Sequence, residues 1–178
     1  MLDQAEFVEE THPRVEKFTV TDPAKVSGTV KYVVCGVDDE GDFKTQRRFK
    51  EFHALSVQLR TRWPGVYIPS MPEKKLLNNT DSEVVEERRV LLEKFLKDCG
   101  KYDYIIFSKE FKTFSRGEGE IDKALFAMPR QTPMQVIEKY RLNFQINEEA
   151  DVTALSAYED NIERFINFLK KAIPAMQM

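Results

Sequence analysis

The sequence is poor in the residues from which catalytic and metal sites are built. Its 178 residues include two histidines and two cysteines, Cys35 and Cys99. Two cysteines cannot form a disulfide framework, and no Cys-x-x-Cys motif or Cys/His cluster indicates a metal site. Nucleophile-elbow, P-loop and kinase-loop motifs do not occur either. We therefore expect no enzyme, no cofactor and no metal, and two thiols that are buried in a reducing compartment.

Long apolar runs are missing as well. No segment approaches the roughly 20 apolar residues that a transmembrane helix requires. The first ten residues, MLDQAEFVEE, are acidic, whereas a signal peptide would be basic and then apolar. We expect a cytoplasmic protein whose contact with a membrane would be peripheral.

The chain also has no overall excess of positive charge. Its formal net charge is −3, which argues against a protein that binds nucleic acid through bulk electrostatics. The charge is unevenly distributed, however: the window from Lys44 to Lys75 carries +6, which leaves −9 for the rest of the chain. Hydrophobic residues make up 42% of the sequence and 13 residues are Phe, so the chain has enough apolar material to bury a core.

The first half of the chain predicts three consecutive strands. Residues 1–13 form an unpatterned lead-in, and an apolar strand-like stretch begins at Val15 and is followed by the turn-rich TDPAKVSG. The segment Val30–Val37 is rich in β-branched residues, and Phe43–Phe49 follows a polar turn. Three such strands predict an antiparallel meander with helices on one face, which is an α+β fold.

Helical periodicity begins where the third strand ends. Phe49–Arg62 predicts a helix that Trp63-Pro64-Gly65 terminates, and residues 66–79 form a long connection punctuated by prolines. Asp81 or Ser82 can cap a second helix that runs to Cys99, with Gly100 placed to end it. A further apolar run and a short helix then carry the fold to about residue 115.

The glycine-containing segment 116–120 is the candidate domain boundary, so the core domain is expected over residues 14–115 and a helical extension over 116–178. Within the extension, Thr132-Pro133-Met134-Gln135 has the pattern of a capping box. Residues 151–173 predict an amphipathic helix. This tail is either the start of a longer helical region or a set of helices that packs on the core or on a second copy of the chain.

Three groups of basic residues could converge on one small anion. Each group could equally consist of ordinary solvated charges. An arginine beside an aromatic ring can bind a phosphate bidentately while the ring lies under a sugar or cyclitol, and lysines on a loop can reach a second phosphate. The three groups are Arg47-Arg48-Phe49, Lys74-Lys75 and Arg88-Arg89.

The same loop carries an apolar pair, Leu76-Leu77, directly after the two lysines. Apolar side chains that enter a membrane interface and cations that meet anionic headgroups are what a membrane-inserting loop requires. The alternative is that the two leucines cover the core beneath the loop.

With these segments the sequence resembles a known family, the phox-homology (PX) domains. Among them it is most similar to those of sorting nexins that continue into a BAR domain. The matching segments occur in family order over about residues 14–115: FTVTDPAKV, YVVCGV, RRFKEF, IPSMPEKKLL and EERRVLLEKFL. The resemblance implies a peripheral protein of early endosomes that binds phosphatidylinositol 3-phosphate in endosomal sorting and protein transport.

The resemblance also implies a role for individual residues. Arg48 falls on the family's ligand for the 3-phosphate and Phe49 on the aromatic residue that stacks on the ring, where Tyr is more common. Lys74 falls on the ligand for the 1-phosphate and Arg88 on the ligand for the inositol hydroxyls. Secondary basic residues and an insertion loop complete the expected site: Arg47, Lys75, Arg89, Leu76 and Leu77.

A protein-interaction module of the trafficking machinery, with little or no lipid selectivity, is the alternative function. The polyproline-like segment VYIPSMPEKK supports it. Expected partners are therefore the lipid and other trafficking proteins, with dimerisation possible through the C-terminal helices and no nucleic acid.

Overall fold

The structure is a computed structural model that describes residues 13–26, 28–72, 82–144 and 159–170. The lead-in up to residue 12, the loop residues Lys74, Lys75, Leu76 and Leu77, and the candidate cap Asp81 lie outside the described residues. Across the described ranges, no helix combines the length and apolar character needed to cross a membrane.

Three antiparallel strands form one sheet in the order β1-β2-β3, as the three consecutive strand-like segments predict. β1 spans Thr19–Val26, β2 Thr29–Asp38 and β3 Gly41–Arg48. The β2–β3 register is continuous, from Asp38 opposite Gly41 at the turn to Lys31 opposite Arg48. Gly41 has a φ of 104°, a conformation that favours glycine and explains the residue at this tight turn. The α+β fold class is confirmed.

The start of the sheet differs from the prediction. Val15–Lys17 is a 3-10 helix, and the segment predicted as a turn continues as the second half of β1. The pairing with β2 shifts between Thr21 and Ala24, where Asp22 has a φ of 47°. A strand at the edge of a sheet tolerates proline and a bulge, since its outer N–H groups need no partner strand. Residues that are typical of turns therefore lie inside the second half of β1.

Six helices follow the sheet within the described residues up to 144. The helix α1 begins directly after β3, as predicted, because Arg48 is extended and the helical period starts at Phe49. Ser108 caps α4 by accepting a hydrogen bond from the N–H of Phe111 at 3.1 Å. The helices are α1 Phe49–Arg62, α2 Ser82–Gly100, α3 Asp103–Ile106, α4 Lys109–Arg116, α5 Ile121–Phe126 and α6 Pro133–Asn143.

Phe18 is at the centre of the core, between two glycines. The ring is fully buried, and it meets Phe43 and Phe111 edge-on at centroid distances of 6.5 and 6.1 Å. A Cβ on Gly36 would lie 2.5 Å from the ring, and one on Gly100 would lie 2.6 Å from it. Gly100 is thus the last residue of α2 and is required by this close approach rather than by a left-handed helix end.

The chain divides into two compact units, Met1–Lys139 and Tyr140–Met178. In the first unit α5 packs against α1 and α4, so this unit extends past the boundary that the sequence predicts at residue 116. The predicted capping box of α6 is confirmed: Thr132 N–H donates to Gln135 Oε1 at 2.9 Å, and Gln135 N–H donates to Thr132 Oγ1 at 3.3 Å. In the second unit residues 159–170 are helical, within the predicted span.

Candidate functional site

The junction between β3 and α1 holds Arg48 in a defined orientation. Its backbone N–H donates to Glu51 Oε2 at 2.8 Å, and its Nη2 and Nε donate to Glu51 Oε1 at 3.0 and 3.2 Å. Glu51 is 4% exposed, whereas the Arg48 side chain retains 24% of its exposure. Since a guanidinium carries five donors in a planar fork, the bonds to Glu51 leave its Nη1 side for another acceptor.

Phe49 brings the first and third groups of the predicted site together. The guanidinium carbon of Arg88, on α2, lies 4.6 Å from the centre of the Phe49 ring, a cation–π distance. Arg88 is 8% exposed, so this contact is largely desolvated. Its charge also acts on Tyr32: burial raises the pKa of that phenol, and Arg88 partly offsets the increase. Arg48, Phe49 and Arg88 therefore occupy one region although the sequence separates the last of them by a long loop.

Arg47 faces away from this region, as neighbouring residues of a strand do. Its Nε donates to the carbonyl of Phe114 at 2.6 Å and its Nη2 to that of Gly117 at 2.8 Å. Burial lowers the pKa of Arg47, and the charge of Glu51 opposes the change. The structure gives this side chain a bridging position between β3 and the C-terminal end of α4.

Arg89 is likewise engaged with the fold. Its Nη1 donates to the carbonyl of Val20 at 2.8 Å, while Glu93 Oε2 accepts the N–H of Val20 at 3.1 Å. These two side chains of α2 bind the outer polar groups of an edge strand that has no further strand beside it. We find no sequence signal that separates Arg89 from Arg88, because both are arginines in the same helical turn.

Besides Glu51, two charged residues, Lys50 and Asp122, belong to the site, and the sequence prediction included none of the three. Lys50 Nζ lies 2.9 Å from Asp122 Oδ2, and Arg48 Nη2 lies 3.7 Å from Asp122 Oδ1. Burial opposes ionisation of Asp122, but Lys50 and Arg48 outweigh it and hold the pKa of this carboxyl below its usual value. Asp122 is on α5, far from Arg48 in sequence, so no local pattern indicates the pairing. Glu51, three residues after Arg48, could have been found from the capping-box spacing.

A concavity lies elsewhere on the first unit. It has a volume of about 690 Å³ and is lined by side chains of α1, α5 and α6, among them Gln58, Phe126 and Ile137. Arg48, Phe49 and Arg88 do not line it, so it is separate from the candidate site. Among the described residues, no group of three His, Cys, Asp or Glu side chains is placed to hold a metal ion.

Comparison with known proteins gives the family. The model of the PX domain family matches residues 36–116, which include Arg48, Phe49 and Arg88. An X-ray structure of a designed CISK-PX domain aligns with a TM-score of 0.51 at 23% identity and covers 56% of this chain and 98% of that one. That likeness concerns the fold alone.

Curated relatives match over part of their length. Sorting nexin-7 of Homo sapiens is 26% identical over 127 residues, which cover 64% of this chain and 33% of that protein. A probable serine/threonine-protein kinase of Dictyostelium discoideum is 40% identical over 60 residues, 33% of this chain and 3% of that protein. The chain thus spans a third or less of the length of these relatives.

The fold and the family match together define the class: this chain contains a PX domain. More particularly, this domain is similar to those of sorting nexins, which are among its curated relatives. This family implies a phosphoinositide-binding module of membrane trafficking, whose members generally act as adaptors rather than enzymes.

Proposed function

We propose that this PX domain recruits the protein to early endosomal membranes by binding the headgroup of phosphatidylinositol 3-phosphate. The observation that carries the proposal is the stacking of Arg88 on Phe49, the residue that follows Arg48, whose guanidinium Glu51 orients. Two cations and an aromatic face in one partly buried place suit a phosphorylated cyclitol better than a single phosphate.

The proposed roles follow from the chemistry of each side chain. Arg48 binds the 3-phosphate through the edge of its guanidinium that Glu51 does not use. Phe49 lies under the inositol ring, and Arg88 donates to the ring hydroxyls. Lys74 and Lys75 bind the 1-phosphate and anionic headgroups, and Leu76 and Leu77 enter the bilayer; these four lie outside the described residues, and their assignment rests on the sequence alone.

Glu51 supports the site by positioning Arg48. Because it accepts both the backbone N–H and two guanidinium donors, it fixes the rotamer of Arg48 before a ligand arrives. A preorganised side chain loses less conformational entropy on binding. A charge-assisted bond contributes about 1.5 to 3 kcal/mol, so Arg48 should account for a factor of roughly ten to a hundred in affinity.

Liposome co-sedimentation tests the proposal. Wild type, Arg48→Ala and the control Arg60→Ala are compared on vesicles that contain phosphatidylinositol or one of its phosphorylated forms. Arg60 is an exposed residue of the same helix, so its loss removes the same charge outside the site. We expect preferential binding to phosphatidylinositol 3-phosphate, a loss for Arg48→Ala and little change for Arg60→Ala.

Equal binding of wild type and Arg48→Ala would contradict the proposal. A wild type without headgroup preference would instead favour the protein-interaction module. Replacing Leu76 and Leu77 by Ser should weaken binding to the vesicles and spare the soluble headgroup, and equal losses in both would argue against insertion.

A further inference from the structure

The helix α5 places a carboxylate against the cations of the candidate site. Ile121 is 1% exposed and Leu125 is fully buried, so both anchor α5 in the core of the first unit. Asp122, next to Ile121 in the first turn, extends toward the start of α1, where it meets Lys50 at 2.9 Å and Arg48 at 3.7 Å. This carboxylate comes from beyond residue 116, where the match to the PX family model ends.

The pairing of Asp122 with Arg48 is incomplete. The 3.7 Å between Asp122 Oδ1 and Arg48 Nη2 is too long for a hydrogen bond, and Oδ1 is a buried oxygen without a hydrogen-bond partner in the described structure. Native structures usually satisfy such atoms. Asp122 thus bonds Lys50 directly and meets Arg48 only through a longer electrostatic contact, which leaves Oδ1 beside the guanidinium.

The charges around the start of α1 cancel. Arg48 and Lys50 contribute two positive charges, and Glu51 and Asp122 contribute two negative ones within 4 Å of them. Asp122 is ionised at neutral pH, since its neighbouring cations hold its pKa low. A phosphate that binds Arg48 therefore meets no net charge from these four groups, with Arg88 on Phe49 as the further cation of the site, and it comes close to the Asp122 carboxylate.

We propose that Asp122 is an attenuating counter-ion of this site, a residue that weakens binding of a phosphorylated headgroup by pairing Lys50 and repelling the phosphate on Arg48. The inference rests on the proposed function, and it adds a residue that sets the affinity of the site for the headgroup. Removal of the carboxylate leaves a net positive cluster and releases Lys50 to meet the phosphate. Exposed or partly exposed charge pairs have modest energies, so the expected gain in affinity is on the order of two- to fivefold.

The experiment compares wild type with Asp122→Asn, which keeps the shape of the side chain and removes its charge. Glu120→Gln is the matched control, because Glu120 is a more exposed carboxylate two residues away that pairs with Lys123 instead. Asp122→Glu keeps the charge, and Asp122→Ser is a second neutral variant should the Asn variant unfold. Thermal unfolding followed by circular dichroism confirms that each variant is folded.

Binding is measured on phosphatidylcholine vesicles with and without phosphatidylinositol 3-phosphate. Tighter binding by the neutral Asp122 variants, with Glu120→Gln and Asp122→Glu near wild type, supports the inference. Unchanged or weaker binding by the neutral variants overturns it, and so does an equal gain for Glu120→Gln, which would reflect net charge alone.

Arg48→Ala separates this inference from the proposed function. If wild type binds better than Arg48→Ala but Asp122→Asn equals wild type, only the role of Asp122 is wrong. If wild type and Arg48→Ala bind equally, the proposed function fails. If neither wild type nor any variant binds the vesicles that contain phosphatidylinositol 3-phosphate, the proposed function and the role of Asp122 are both wrong.

Discussion

Arg47 and Arg48 are neighbours in sequence, and the structure predicts different consequences of replacing them. Arg47→Ala should strongly destabilise the fold, whereas Arg48→Ala should cost less stability and weaken headgroup binding. Arg47 is 6% exposed and donates to carbonyl groups that no other side chain serves in the described structure, those of Phe114 and Gly117. Arg48 is partly exposed, and the Glu51 contact to its backbone survives the substitution.

The magnitude follows from these contacts. Arg47 makes a 2.6 Å bond to Phe114 O and a 2.8 Å bond to Gly117 O, and a further bond of 2.9 Å to Gln46 O. Bonds that involve a charged donor contribute about 1.5 to 3 kcal/mol each, and relief of the buried charge offsets part of the sum. We expect a loss of about 3 to 5 kcal/mol for Arg47→Ala, a large share of a typical stability of 5 to 15 kcal/mol. Arg48→Ala should cost about 1 to 3 kcal/mol, because it removes both guanidinium donors from Oε1 of the buried Glu51 carboxylate while the backbone N–H bond to Oε2 remains.

Urea unfolding followed by the fluorescence of Trp63 measures both variants. Trp63 is the single tryptophan and is 3% exposed, so its emission reports on the packed core. Arg47→Lys is an informative companion, because a lysine keeps the charge but cannot reproduce the forked donors. An Arg47→Ala variant within about 1 kcal/mol of wild type would refute the bridging role, as would a larger loss for Arg48→Ala than for Arg47→Ala.

Two further predictions concern the core and a titrating lysine. Gly100→Ala should lower the free energy of unfolding by about 1 to 3 kcal/mol, because the new methyl group would overlap the Phe18 ring. Phe18→Leu in that background should recover part of the loss. A Gly100→Ala variant that unfolds in urea like wild type would contradict this prediction. Burial and the nearby charge of Arg62 lower the pKa of Lys139 to about 8, against the opposing charge of Glu110. Between about pH 8 and 10.5 the unfolded chain therefore binds a proton that the folded chain has released. The free energy of unfolding should rise with pH across that window. The difference in unfolding free energy between wild type and Lys139→Met should change over that pH range and stay flat below it; a constant difference would show that Lys139 is not the titrating group.

Local signals in the sequence account for much of the architecture. The change from a two-residue to a 3.6-residue apolar period at Phe49 correctly separates β3 from α1, and Thr132 with Gln135 correctly marks the start of α6. Such features involve residues within a few positions of each other, so their physics is contained in a short window. The error at the start of the sheet has the opposite origin. Residues 21–26 have turn composition, but pairing with β2 and their position at an edge outweigh local propensity.

For the candidate site, the sequence by itself determined the chemical inventory: a basic window, an Arg-Arg-Phe segment before a helix, and an arginine pair in the following helix. Only the tertiary structure decided how those cations are used. Packing of α2 and α4 on the sheet assigns Arg88 to Phe49, Arg89 to the edge strand and Arg47 to the end of a helix, and packing of α5 adds Asp122. The physical reason is the distance along the chain over which each property is determined. Periodicity and helix caps depend on residues within a few positions of each other. The partner of a charged side chain depends instead on which distant backbone and carboxylate groups folding brings within a few ångströms of it.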